Sequence, residues 1–323
     1  MRDINVLYFH SQTYSGLRSG ARLIVLGAVH GNETCGTRAI GRVAEEIRAG
    51  SLRLVAGSVT FVPVANPLAY ARQQRMGDRN LNRNLYPTDK PQQFEDHVAN
   101  WLCPLLAQHD ALLDLHSFHT GGEPFVMLGP ENNHGTLEPF ARAAEEESLA
   151  RHLGVRRFVD GWLDTYALGV QHRVALGRSG NDPDAVHTEL RYGVGTTEYM
   201  RSVGGYGLTL ECGQHDDPEA PHVAYRAIRN ALDHLGISAG TVPVAVADGE
   251  ALRLYKVVDR QHAGDRLSRD WASFDRIRAG DLIGVRHDGT QVLADCDGYL
   301  VFPNPGAQPG QEWFYLAKPG ERI

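Results

Sequence analysis

The run Arg22-Leu23-Ile24-Val25-Leu26-Gly27-Ala28-Val29 is almost continuously apolar and stops at a glycine-containing turn. It shows no polar alternation, so a strand made from it must be covered on both faces. Such a strand sits inside a parallel sheet with helices above and below. Ala39, Ile40, Val43, Ala44 and Ile47 then recur at three- and four-residue steps up to Gly50, an amphipathic helix with a glycine stop. The pairing of strand and helix repeats. Residues 59–65 read as a strand, with Pro63 marking an edge position or a strand end. Val98, Leu102, Leu105 and Leu106 mark a helix disturbed near Pro104, and Ala111-Leu112-Leu113-Asp114-Leu115-His116 is a second buried strand. Residues 136–153 predict a helix with Phe140, Ala144 and Leu149 on one side and Glu145-Glu146-Glu147 in water, and residues 154–205 predict long loops. Tyr206-Gly207-Leu208-Thr209-Leu210-Glu211 is a last buried strand, and Ala224, Ile228, Leu232 and Leu235 lie on the helix after it. Strands alternating with helices predict an α/β domain with a mixed, mostly parallel sheet.

The pattern changes near Ala239-Gly240. From Ala251 onward the chain reads as short β-type runs (252–258, 282–286, 291–293, 299–302 and 313–316) separated by Gly and Pro, which predicts a small all-β domain. The expected division is therefore residues 1–240 and 241–323. Ala279-Gly280-Asp281-Leu282-Ile283-Gly284 followed by Asp297-Gly298-Tyr299-Leu300-Val301 resembles a lipoyl or biotinyl carrier sandwich. The only lysines after Ala251, however, are Lys256 and Lys318, and neither sits at a hairpin tip beside Met or Asp.

Composition narrows the functions. A formal net charge of -7 argues against general affinity for nucleic acid or an anionic membrane. Any anionic substrate must be held by a few local arginines. Cys35, Cys103, Cys212 and Cys296 are widely spaced with no C-x-x-C pair, which fits free thiols in a reducing compartment. No apolar stretch reaches the roughly 18 residues of a spanning helix, and the start, Met1-Arg2-Asp3-Ile4-Asn5, lacks the apolar region of a signal peptide. A cytoplasmic protein is expected, with homo-oligomerisation left open. The 15 histidines raise the question of which of them do chemistry.

Four segments carry candidates. His30-Gly31-Asn32-Glu33 directly follows the apolar run, and strand carboxyl ends are where open α/β sheets bind ligands. Zinc accepts imidazole nitrogen and carboxylate oxygen, and a catalytic site has three protein ligands. The ordinary alternative is a polar loop with Asn32 or Thr34 capping the helix. Asp114-Leu115-His116 ends the next strand with an Asp two residues before the His, on the same side, suited to orienting a third ligand. His119 is its rival, on a more flexible stretch. Glu211 closes an apolar strand, where a carboxylate is costly unless paired or facing a cleft, so it is a candidate general base, with a structural salt bridge as the plain alternative. Asn66-Pro67, Arg75 and the run Asp78-Arg79-Asn80-Leu81-Asn82-Arg83-Asn84-Leu85-Tyr86-Pro87 concentrate three arginines and several asparagines, suited to gripping a carboxylate or an oxyanion.

In this order the segments resemble the succinylglutamate desuccinylase/aspartoacylase family of the zinc carboxypeptidase-like superfamily, over most of the chain and including a small C-terminal β domain. The resemblance implies a three-layer α/β fold with a mixed, mostly parallel sheet, and a C-terminal β domain covering the active site. It implies one zinc per chain held by His30, Glu33 and His116, with Glu211 activating the attacking water and Arg75 polarising the scissile carbonyl. It also implies that Asn82 and Arg83 grip a substrate carboxylate and that Arg201, ten residues before Glu211, is a further carboxylate anchor. The chain departs from the family in having Asn80 where an Asp is usual, Ser117-Phe118 after the Asp-Leu-His, and Gln308-Pro309 where aspartoacylase has a substrate-binding tyrosine. The expected activity is zinc-dependent deacylation of a small N-acyl amino acid or related acylated amine through a metal-activated water. The alternatives are a zinc carboxypeptidase-type peptidase, an ester hydrolase, or a non-catalytic metal-holding ligand sensor.

Overall fold

A computed structural model describes residues 7–175 and 188–323. The expectation read from residues 1–5, and the middle of the 154–205 stretch, lie outside them. In the N-terminal part, strands β1 (Gln12–Ser15), β2 (Arg18–Leu26), β3 (Ala56–Val62), β4 (Ala111–Phe118), β5 (Phe125–Met127), β6 (Arg157–Asp160) and β7 (Tyr206–Gln214) alternate with helices. The helices are α1 (Cys35–Arg48), α2 (Pro67–Arg72), α3 (Phe94–Leu106), α4 (Ala143–His152), α5 (Trp162–Ala175), α6 (Thr196–Ser202) and α7 (Ala220–His234). β3, β2, β4 and β7 are parallel neighbours in that order, and β5 enters antiparallel beside β7.

Burial on both faces explains the unbroken apolar runs. Along β2, Leu23 and Val25 pack with Ala39, Ile40 and Val43 of α1 and with Ala224 and Ile228 of α7. Ile24 and Leu26 point to the other face and pack with Val98, Leu102 and Leu106 of α3. Period-two alternation thus sends successive apolar residues into two different cores, and the domain has three layers. β3 lies inside the sheet between β1 and β2, so Pro63 marks the strand's end rather than an edge. Pro104 falls in the last turn of α3.

Two expectations are corrected. The helix predicted over 136–153 is only α4, because Asn133 and Phe140 pair as a β-bridge before it. Glu146, expected in water, is fully buried and accepts hydrogen bonds from Gly129 N and Arg201 Nε. The stretch predicted as loops contains β6, α5 and α6, whose periodicity is interrupted by Gly161, Gly169 and the glycines around α6.

The remaining strands are β8 (Glu250–Asp259), β9 (Arg266–Leu267), β10 (Asp275–Ile277), β11 (Leu282–Val285), β12 (Gln291–Leu293), β13 (Gly298–Val301) and β14 (Glu312–Pro319). β8, β14, β13 and β10 continue the main sheet beyond β6, giving eleven strands, while β12, β11 and β9 form a separate three-stranded antiparallel sheet. A shared core joins the two parts: Phe118, Phe125 and Val159 pack with Leu252, Leu254, Val301 and Tyr315. Among the described residues no helix is long and apolar enough to cross a membrane, and all four cysteines are free.

Trp313 is completely buried in β14, packed with Trp271, Ile283 and Phe314 between the small sheet and the end of the large one. Trp313→Ala is expected to cost about 3–5 kcal/mol, typical of deleting a buried aromatic ring. Urea unfolding measures it, and an unchanged midpoint would show that this cluster does not hold the C-terminal strands.

Candidate active site

Beyond β2 the chain turns over the rim of the sheet before entering α1. Ala28 takes a φ of 47°, in the left-handed region that costs a side-chain-bearing residue of order 1 kcal/mol or more. It is held there by the loop after β3: Ala65 N donates to the Gly27 carbonyl and Asn66 N to the Ala28 carbonyl. Gly31 passes so close to α2 that a Cβ would overlap the Ala69 backbone. The turn therefore needs its glycine, and it aims His30 and Glu33 inward, both almost fully buried. His116 reaches the same point from β4.

The three side chains converge closely. Glu33 Oε1 lies 2.8 Å from His30 Nδ1, and Oε2 lies 2.8 Å from His116 Nδ1. The outer ring nitrogens determine what these contacts are. Asn80 Oδ1 accepts the backbone N–H of Asn82 at 2.9 Å, which identifies it as the amide oxygen, and it lies 3.0 Å from His30 Nε2. That nitrogen must carry the proton, so Nδ1 turns a lone pair toward Glu33. His116 Nε2 is 2.9 Å from Asp114 Oδ2, close though off the hydrogen-bond direction, and the same proton placement follows. Two imidazole lone pairs and a carboxylate facing one another call for a cation between them. Their ligand atoms all lie within 4.8 Å of one another, and this is the one such group of three among the described residues. Its nitrogen and oxygen donors suit zinc.

The charge balance agrees. Burial pushes the Glu33 carboxyl up, but His30 and His116 outweigh it and hold it well below the usual carboxylate range. Burial and then Arg75 bring His30 down to about 4, a neutral imidazole able to ligate. Burial opposes protonation of His116 as well, yet Asp114 and Glu33 hold it well above its ordinary value. The pair therefore attracts positive charge at Glu33.

Glu211 stands beside His116 in the β4/β7 register. It is buried, and its Oε2 has no hydrogen-bond partner among the described residues. Burial pushes its carboxyl up to about 8, against the pull of His116. It thus holds a proton near neutral pH, as an acid–base group should. Arg75 Nη1 donates to Glu33 Oε1 at 2.8 Å and keeps part of its guanidinium exposed.

These groups line a cavity of about 520 Å³, whose opposite wall is built from the C-terminal strands and loops through Phe302, Gln308, Glu312 and Tyr315. The arginine loop forms another side. Glu95, fully buried on α3, accepts from Asn66 Nδ2 and from the backbone N–H groups of Gly77, Asp78 and Arg79, which stakes the loop to the helix. Arg79 pairs with Asp96 and donates to the carbonyls of Asn80 and Arg83, so it shapes the loop. Asn82 and Arg83 face the cavity. Asn82 Oδ1 accepts from Thr196 N, and Thr196 Oγ1 donates to Asp114, so one polar chain links the arginine loop to the residue behind His116. Arg83 lies over the Trp162 ring, 3.7 Å from Glu312.

Arg201 is brought to the cavity wall but not to a carboxylate-binding role. Its Nε donates to Glu146 at 2.7 Å, Nη1 to Glu138 at 2.6 Å and Nη2 to the Gly207 carbonyl, and the side chain is 2% exposed. Three internal acceptors saturate the guanidinium. His119 lines the cavity against the His215 ring, outside the His30–Glu33–His116 group, while His215 Nδ1 meets Ser117 Oγ at 2.8 Å. The parts played by Glu95, Thr196 and Glu312 carry no motif; each is an isolated polar residue in a helical or β-type run.

Fold and site together define an α/β protein of zinc carboxypeptidase-like architecture with a His–Glu–His donor group at the strand ends. Residues 19–149 match the succinylglutamate desuccinylase/aspartoacylase catalytic domain, so the resemblance read from the motifs is borne out. No curated protein matches the chain in sequence. Among solved structures it is similar to a succinylglutamate desuccinylase/aspartoacylase from Rhodobacter sphaeroides (TM-score 0.71, 19% identity, 97% of this chain and 89% of that one). It is also similar to the product-bound ectoine utilization protein EutE (DoeB) from Ruegeria pomeroyi (0.70, 19%, 95% and 88%). A third is a succinylglutamate desuccinylase from Vibrio cholerae (0.68, 19%, 96% and 90%). These likenesses establish the fold, small β part included.

The Glu211 proton has a measurable consequence. Its carboxyl is raised on folding, so between the ordinary value of 4.5 and about 8 the folded chain binds more protons than the unfolded one. Stability of the metal-stripped protein at this residue therefore falls as pH rises through that window and is level above it. Relative to wild type, metal-stripped Glu211→Gln is expected to gain on the order of a few degrees in Tm between pH 5 and pH 8. Parallel melting curves across that range would show that Glu211 is not a buried proton holder.

Proposed function

We propose that the protein is a zinc-dependent deacylase that hydrolyses the amide of a small N-acyl amino acid or related acylated amine. The observation that carries this reading is a buried, unpaired carboxylate, Glu211, set beside a donor group that demands a cation. His30, Glu33 and His116 would hold one zinc per chain. Bound there, zinc supplies a Lewis acid for the acyl carbonyl and lowers the pKa of water toward about 7.

The chain's own residues do the rest. Asn82 and Arg83 hold the carboxylate of the substrate, which orients the amide toward Glu211. Glu211 takes the proton of the attacking water and delivers it to the nitrogen as the C–N bond breaks, leaving a carboxylic acid and a free amine. Arg75, half-tethered to Glu33, presents its remaining N–H groups to the oxygen on which negative charge develops. Asp114 and Asn80 keep the two imidazoles in the ligating tautomer. The saturated Arg201 holds the wall together and is not part of substrate binding in this reading.

The wall formed by residues 302–315 favours a small acylated substrate over a peptide chain, which leaves the carboxypeptidase alternative with less room. Four free thiols and the absence, among the described residues, of a membrane-crossing helix support a cytoplasmic location. The test is a panel of N-acyl amino acids and the matching esters, run with wild type, with chelator-stripped and zinc-restored protein, and with Glu211→Gln. Amide hydrolysis is expected to vanish on stripping, return with zinc, and fall roughly 100- to 10,000-fold in the variant. Full activity in Glu211→Gln would remove Glu211 as the base, and hydrolysis that survives stripping would remove the metal.

A further inference from the structure

The charges around the cavity point to its substrate class, an inference that rests on the deacylase reading. Four arginines line the cavity, and each already faces a carboxylate of the chain. Arg75 donates to Glu33, Arg79 to Asp96, and Arg201 to Glu138 and Glu146. Arg83, the one suited to a substrate carboxylate, has Glu312 of β14 beside it at 3.7 Å, too long for a direct hydrogen bond. Both are largely buried, and Arg83 spends Nη1 on the Asn82 carbonyl. Arg173 also approaches Glu312, at 4.0 Å, with its guanidinium bidentate on Asp259 at 2.7 Å.

An N-acyl dicarboxylic amino acid would bring two negative charges here. Its second carboxylate would meet Glu312, and no other lining arginine among the described residues is without a carboxylate of its own. A substrate with one carboxylate and one ammonium group fits the opposed pair: the carboxylate joins Arg83, and the ammonium becomes a charge-assisted donor to Glu312. We infer that the protein acts on N-acyl amino acids that keep a protonated amine, that is, monoacylated diamino acids, and that Glu312 is the residue selecting them. Acylation on the α- or the side-chain nitrogen leaves the same two charges, and the two isomers form separate arms of the test.

The experiment compares kcat/KM for the Nα- and side-chain-acetyl isomers of lysine, ornithine and diaminobutyrate with that for acetylnorleucine and acetylglutamate, in wild type, Glu312→Gln and Glu312→Asp. Calorimetric binding of free lysine, norleucine and glutamate is measured in parallel, with melting curves to confirm folding. Wild type is expected to favour at least one amine-bearing isomer over acetylnorleucine by roughly 10-fold or more, the scale of one hydrogen bond to a charged group. Glu312→Gln is expected to collapse that ratio, and Glu312→Asp to restore part of it. Lysine is expected to bind more tightly than norleucine, with the difference lost in Glu312→Gln. A preference for acetylglutamate, or an amine preference that survives Glu312→Gln, overturns the inference while leaving the deacylase intact. If nothing on the panel is hydrolysed the deacylase reading falls, and selection by Glu312 then falls only when lysine and norleucine bind alike.

Discussion

Two imidazole lone pairs turned toward one carboxylate cannot be left as they are in a protein interior. Nδ1 of His30 and Nδ1 of His116 each lie 2.8 Å from an oxygen of Glu33, and the outer nitrogens are committed to Asn80 and Asp114. Either a proton or a metal must sit among them, and burial makes a permanent pair of imidazolium ions expensive. The surrounding architecture serves this convergence. β2, β4 and β7 are adjacent and parallel, so the turn after β2 and the ends of β4 and β7 deliver His30, Glu33, His116 and Glu211 to one stretch of rim. The left-handed Ala28 and the closely packed Gly31 are the local conditions for that delivery.

Much of this was legible from the residues alone. Strands buried on both faces must be written in unbroken apolar residues, so β2, β4 and β7 stand out, and polar groups at their ends are conspicuous because burying them is costly. What was not legible depends on contacts between distant segments. Arg201 looked like a carboxylate anchor by its spacing from Glu211, yet Glu138 and Glu146, far away in sequence, consume it. The same pairing pulls Glu146 out of the solvent-facing triplet in which it appears. The glycine-punctuated stretch 154–205 hid β6, α5 and α6, since short elements docked on a ready-made surface need little periodicity of their own.

Asn80 illustrates a departure that the structure explains. A carboxylate behind a ligating imidazole raises its basicity, and an amide oxygen orients the ring without adding charge. Here the amide also accepts the Asn82 N–H, which ties the substrate loop to His30 through a single oxygen. Thr196 makes the corresponding link from Asn82 to Asp114. The metal side and the substrate side of the cavity are therefore one polar network, braced by Glu95 beneath the loop and closed by strands that follow residue 250.

The central claim, a cation bound by two Nδ1 atoms and one carboxylate, is most directly tested by loading the stripped protein with zinc and recording X-ray absorption at the zinc edge. The account requires one zinc per chain, with two imidazole nitrogens at about 2.0–2.1 Å, oxygen ligands and no sulfur, and loss of that shell in His116→Ala. A sulfur-containing shell, or zinc bound equally well in wild type and His116→Ala, would contradict it.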